Sequence, residues 1–175
     1  MDLEKSWYQK EISLYKFLYK LVLFTLLSVN LYSEDSILSI NKLLKNNLNF
    51  IQTADSGFEE INSKGTLLRN KEIIEIMIDY PTKEKYILRD SIIEIYDYEF
   101  NQSQIIEINE DNSYIFDFLI NGIDKNDIYS VKENSFTVLK NDSEFFVTII
   151  SENSFSVSYN DNMNYKNLIV FEVLK

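Results

Sequence analysis

The sequence predicts a mainly β protein with some α, built as one long antiparallel sheet of about eleven strands that curls toward a barrel. Three observations carry this expectation. From Gly57 onward, short runs rich in Ile, Phe, Tyr and Val are punctuated by Asn, Asp, Ser and Gly, the pattern of hairpin-linked strands and not of βαβ units. The stretch "IIEIMIDYP" at residues 73–81 alternates apolar and polar before the only proline of the chain, so Ile74, Ile76, Ile78 and Tyr80 share one strand face. Only two segments after residue 33 carry helical spacing instead.

Taken in order, "SILSINKLLKNNL" from Ser36 to Leu48 places Ile37, Ile40, Leu44 and Leu48 on one helical stripe, with Asn41, Lys45 and Asn49 away from it. Ser36 or Asp35 caps its start. After Asp55-Ser56-Gly57 the strands are expected near 57–62, 65–70, 72–80, 84–89, 92–98 and 104–109. "DNSYIFDFLING" then reads as a short helix, capped by Asn112 or Ser113 and ended by Gly122. Strands resume at about 128–132, 135–140, 144–150, 155–160 and 166–174.

Residues 1–33 read differently. The first twenty carry four lysines against three carboxylates, and "LVLFTLLSV" from Leu21 to Val29 follows. That run is too short for a membrane span of roughly 20 residues and falls in the range of roughly 7 to 15 for a signal-peptide core. Export with cleavage near Ser33 is the favoured reading, ahead of an uncleaved N-terminal anchor or a buried helix. With no cysteine in the chain, the lipid attachment of bacterial lipoproteins is closed to it. The expected division is thus a signal peptide over 1–33 and a single domain over 34–175.

Composition narrows the function. With 175 residues and 45% hydrophobic content, the chain can bury a core. A net charge of −11 repels nucleic acid and anionic lipid. The absence of both cysteine and histidine removes thiol nucleophiles, Ser-His-Asp relays and zinc sites built on those ligands. No carboxylate spacing singles out a glycosidase pair. "DKNDIYSVKENS" and "NDNMNY" lack the glycine and closing glutamate of an EF-hand loop. The expectation is a protein that is not an enzyme and uses no cofactor or metal.

The order of features resembles the outer-membrane lipoprotein carrier family of Gram-negative bacteria, LolA. Phe50 and Gln52 in "FIQT" match the F-x-Q after the family's first helix, and Gly65-Thr66-Leu67 its G-x-L strand. Pro81, Tyr96, Asp97 and Gln102 keep the order and spacing of later family positions, and Ile74, Ile76 and Ile78 fall where the family places large apolar residues. "NSYIFDFLING" is similar to its short helix and "YSVKENSFTVL" to its following hairpin. The family's Arg-Pro pair is replaced by "RNKE", with Arg69 or Lys71 the nearest basic residue, and an Asp-Gly turn becomes Asp90-Ser91.

The resemblance implies an incomplete, open antiparallel barrel whose concave apolar face is covered by an N-terminal amphipathic helix and a short lid helix. It implies a monomeric periplasmic chaperone that takes acylated lipoproteins from an inner-membrane ABC transporter of the LolCDE type. Delivery would be to a LolB-type or other outer-membrane acceptor. On this reading Ile74, Ile76, Ile78, Tyr86, Leu88, Ile93, Ile95, Ile106 and Ile108 line an acyl-chain cavity. Ile37, Ile40, Leu44, Phe116 and Leu119 belong to the lids, and Arg69 or Lys71 latches them. The competing expectation, from another class, is a membrane-anchored β-rich interaction domain that binds a protein partner without carrying lipid.

Overall fold

A computed structural model describes residues 36–70, 73–89, 91–108, 114–140, 143–161 and 163–175. The expected signal peptide and its cleavage site, like Lys71, lie outside the described residues. Residues 36–175 form one compact unit. Its helix α1 spans 36–43. Strands β1 (Leu48–Asp55), β2 (Glu60–Asn70), β3 (Ile73–Tyr80), β4 (Glu84–Arg89), β5 (Ile92–Asp97) and β6 (Gln102–Glu107) follow. Helix α2 (Tyr114–Asn121) and a 3-10 turn (Lys125–Asp127) lead to β7 (Ile128–Lys132), β8 (Ser135–Lys140), β9 (Ser143–Ser151), β10 (Ser154–Asn160) and β11 (Lys166–Val173).

The strands make a single sheet of eleven in the order β6-β5-β4-β3-β2-β1-β11-β10-β9-β8-β7. Every pairing is antiparallel. β6 and β7 stand at opposite edges without pairing to each other, so the sheet is an open barrel covered by helix. The pairing of β1 with β11 joins the N-terminal and C-terminal hairpins into one surface.

The expected number of strands and the observed one agree, but by a different division. The helical stripe does not reach Leu48. Leu44 N–H still donates to the Ile40 carbonyl at 2.8 Å, after which the Asn46 side chain takes up the Lys42 and Leu43 carbonyls at 2.9 and 3.2 Å. Both carbonyls also accept backbone N–H groups three residues on, from Lys45 at 3.3 Å and Asn46 at 3.0 Å, and this tightened last turn with its side-chain cap ends α1. Leu48, Phe50 and Gln52 then alternate as strand residues of β1. The two short strands expected at 57–62 and 65–70 are one continuous strand, β2.

Gly65, which reads as a strand start, lies inside β2 for a steric reason. A Cβ there would sit 1.9 Å from the Met77 carbonyl oxygen and 2.9 Å from the Phe50 ring. The ring of Phe50 thus covers a position that has no side chain of its own. A register shift between Lys64 and Gly65 lets Lys64 pair with Tyr80 and Gly65 with Ile78. This bulge skips Asp79 and turns Tyr80 away from the face it was expected to share with Ile78. Tyr80 is accordingly exposed.

The core lies between one face of the sheet and the two helices. Ile37, Ile40, Leu43 and Leu44 from α1 and its end join Phe118 and Leu119 of α2 in one cluster with Leu48, Leu67, Val147, Phe155 and Phe171. Phe155 stacks on Phe171 at 4.9 Å and meets Phe118 at 6.4 Å, edge to face. Asn41 clasps the two helical segments: its Nδ2 donates to the Ile123 carbonyl at 3.0 Å and its Oδ1 accepts from the Ile123 N–H at 2.9 Å. Gly122 permits the approach, since it takes φ +73° and a Cβ would come within 2.4 Å of Asn41 Oδ1.

Candidate functional site

Cross-strand register arranges the inner face in rows. One row runs Ile106, Ile93, Leu88, Ile74, Arg69, and the next Gln104, Ile95, Tyr86, Ile76, Leu67, Leu48. A third runs Gln102, Asp97, Glu84, Ile78, Gly65, Phe50, Phe171. The outward face of the same strands is polar in part, with Lys85 bridging to Glu75 at 2.7 Å.

These rows are not equally filled. Ile74, Leu88 and Ile93 are only 7%, 2% and 2% exposed and are packed into the core. Ile76, Ile78 and Tyr86, one and two rows on, border a cavity of about 230 Å³ instead. Phe50, Leu67, Ile169 and Phe171 complete its apolar floor, and Ile115, Phe116 and Leu119 of α2 close over it. Gln52 and Tyr159 supply polar groups at the β1 and β10 positions of the wall. Gly65 lies between Ile78 and Phe50 in the third row, and the Phe50 ring fills the space over it.

Of the residues expected at the cavity, Ile76, Ile78, Tyr86, Phe116 and Leu119 meet at it. Ile74, Leu88 and Ile93 are core. Ile95 and Ile108 are half-buried against the core, and Ile106 is half-buried on the edge strand β6; none of the three borders the cavity. From α1, Ile37 and Ile40 are packed into the core, and Leu44 is buried beside Arg69 and Leu119 at a separate polar cleft. The helix that borders the cavity is therefore α2, while α1 packs into the core. Phe50, Leu67, Ile115, Ile169 and Phe171 were not among the expected wall residues. The signal that points to Phe50 is the alternation Leu48, Phe50, Gln52, hidden because Leu48 also continues the helical spacing of Ile40 and Leu44.

Arg69 stands in register with Ile74, and its guanidinium donates to the Leu119 carbonyl oxygen in the last turn of α2. A cation at a helix C-terminus meets both an orphan carbonyl and the negative end of the helix dipole. Its Nε is buried with no hydrogen-bond partner among the described residues. Burial pulls the Arg69 pKa down from its ordinary value. The Arg69 backbone N–H is held by Asn47 Oδ1 at 2.8 Å, which fixes the base of the side chain.

The polar fittings of the wall are themselves bonded. Tyr86 donates its hydroxyl proton to Glu84 Oε2 at 2.6 Å. Burial first, and this bond second, hold the phenol well above the usual tyrosine range. Gln52 Nε2 donates to Asn167 Oδ1 at 2.9 Å. Among the described residues no helix is long and apolar enough to cross a membrane, and no three His, Cys, Asp or Glu side chains group as metal ligands.

No protein-family model matches the chain, and no curated protein matches it.

Proposed function

We propose that this protein is a carrier that takes the acyl chains of lipoproteins into the cavity beneath α2 and moves them between membranes. The observation that carries the reading is an apolar hollow between the inner sheet face and a helix of eight residues, held in part by one arginine latch. The ordered resemblance to the lipoprotein carrier family points the same way. In that setting the protein works in the periplasm, receives cargo from a LolCDE-type transporter and passes it to a LolB-type or other acceptor.

The size of the cavity defines what the lid must do. A dry cavity of about 150 Å³ holds benzene, so by proportion 230 Å³ holds about nine carbons. Burying acyl chain gains about 0.8 kcal/mol per CH₂, which for that length is about 7 kcal/mol. Triacylated cargo is several times larger. Loading therefore requires α2 to swing away from Phe50 and Phe171, with the Arg69 bond to Leu119 released, at a cost of about 2 kcal/mol for a hydrogen bond to a charged group. Phe118 and Leu119 are as buried as Ile37 of α1 and Leu44 at its end, so the swing also uncovers apolar side chains that the incoming acyl chains cover in their place.

The test is release of cargo. Vesicles carrying the cognate transporter and a triacylated lipoprotein are supplied with ATP and the purified protein, and the supernatant is assayed for a soluble complex. The reading expects ATP-dependent release in proportion to added protein. Release no greater than in a protein-free control contradicts it.

A further inference from the structure

The Gln52 side chain is fixed in a way that an apolar cavity does not need. Asn167 is 4% exposed, and its Nδ2 donates both to Asp161 Oδ2 and to the Tyr165 carbonyl, each at 3.1 Å. Both partners are acceptors only, so the two amide hydrogens of Asn167 are committed and its Oδ1 must face Gln52. Gln52 Nε2 is then necessarily the donor to it. Asp161 is itself anchored, accepting from the Met163 and Tyr165 N–H groups at 2.9 Å. A relay from Asp161 through Asn167 thus sets the orientation of one amide at the cavity wall.

What remains of Gln52 is one N–H and its Oε1, neither with a hydrogen-bond partner among the described residues. The Tyr86 hydroxyl proton goes to Glu84 and does not reach Oε1. Oε1 is open to the cavity, and a bound chain that covers it without offering a donor leaves it unpaired at about 1 to 3 kcal/mol. A site that holds such a group discriminates against ligands that cannot satisfy it.

We infer that Gln52 selects an acyl chain joined through an amide over one joined through an ester, an inference that rests on the acyl-binding reading above. An ester presents acceptors alone and leaves Oε1 unpaired. A secondary amide brings an N–H to Oε1 while its chain runs from β1 toward Ile76 and Tyr86. From β1 to β4 is three strand spacings, about 14 Å, which suits a chain of the length the cavity holds. The N-acyl group at an acylated polypeptide terminus and a free lipid amide share this chemistry.

The experiment uses the full chain with a polarity-sensitive fluorophore in the cavity, displaced by N-methyldecanamide or by methyl decanoate. In Gln52→Met, and in Gln52→Leu as a second apolar variant, the amide-to-ester affinity ratio is expected to fall about tenfold, the factor that 1.4 kcal/mol represents, with ester affinity little changed. In the wild type, the N–H proton of N-methyldecanamide is expected to shift downfield on binding and to show contacts to the Gln52 side chain, a readout that does not depend on either variant folding. An unchanged ratio in a folded variant, or a ligand N–H that does not shift on binding, overturns the role of Gln52 and leaves acyl binding standing. Failure of both ligands to displace the fluorophore overturns acyl binding itself. An N-decanoyl hexapeptide distinguishes the sources: competition equal to or better than N-methyldecanamide assigns the site to acylated polypeptide, and its exclusion assigns it to free lipid amides.

Discussion

The two ends of β3 differ more than their sequences do. Ile74 and Ile76 are the same residue type, two positions apart, on the same face of one strand. Yet Ile74 lies in a filled row with Leu88 and Ile93, while Ile76 and Ile78 face a hollow. What separates them is the layer above. Beside the first row, Leu44 and Leu119 lie around the Arg69 side chain, whereas the cavity bordered by Ile76 and Ile78 has Ile115, Phe116 and Leu119 of α2 on its other side. An apolar face thus serves as core or as receptor according to how closely a second element is held against it.

Truncation gives the largest expected contrast. Leu88→Ala removes a fully packed side chain and is expected to destabilise by about 3 kcal/mol. Ile76→Ala enlarges an existing hollow and is expected to cost about 1 kcal/mol. Urea unfolding of the two variants reads the difference directly, and equal losses would mean that both rows are packed alike.

The next contrast concerns the roof. Arg69→Leu leaves the Leu119 carbonyl without its charged donor, at about 2 kcal/mol. Hydrogen exchange is expected to speed about 30-fold in the last turn of α2, with the amides of β10 and β11 unaffected. Uniform acceleration throughout the sheet would make Arg69 a general stabiliser and not a latch.

Gly122→Ala tests how the two helical segments are joined. A side chain there meets φ +73° and the Asn41 oxygen at 2.4 Å, and the expected loss is about 2 kcal/mol. Since Asn41 holds Ile123 from α1, the loss is expected to appear in thermal unfolding of the whole unit. The smallest effect comes from filling. Ile76→Phe places added volume in the hollow and is expected to leave stability within about 1 kcal/mol, whereas Ile74→Phe overpacks a filled row at about 2 kcal/mol. Affinity for an acyl probe is expected to fall only in the former.

Much of this was legible in the chain. Alternation in "IIEIMIDYP" gave the inner face of β3, the Asn- and Asp-rich breaks gave the hairpins, and Gly122 gave the end of α2. Three features were not. The end of α1 depends on Asn46 turning back to cap the helix, and Leu48 satisfies helical and strand periods equally well. The bulge that turns Tyr80 outward leaves no mark in an unbroken alternation. Whether an isoleucine faces a void depends on the distance between two layers, which residue type does not encode. Gln52 was visible only as part of "FIQT", because its fixed orientation comes from Asn167, 115 residues away in sequence.

The most direct measurement labels the isoleucine δ1 methyl groups with ¹³C and follows them while a decanoyl ligand is added. If the cavity receives acyl chain, the methyls of Ile76 and Ile78 shift and show contacts to ligand protons, while those of Ile74 and Ile93 stay where they were. Shifts of equal size at all four, or at none, would contradict a receptor confined to the hollow rows beneath α2.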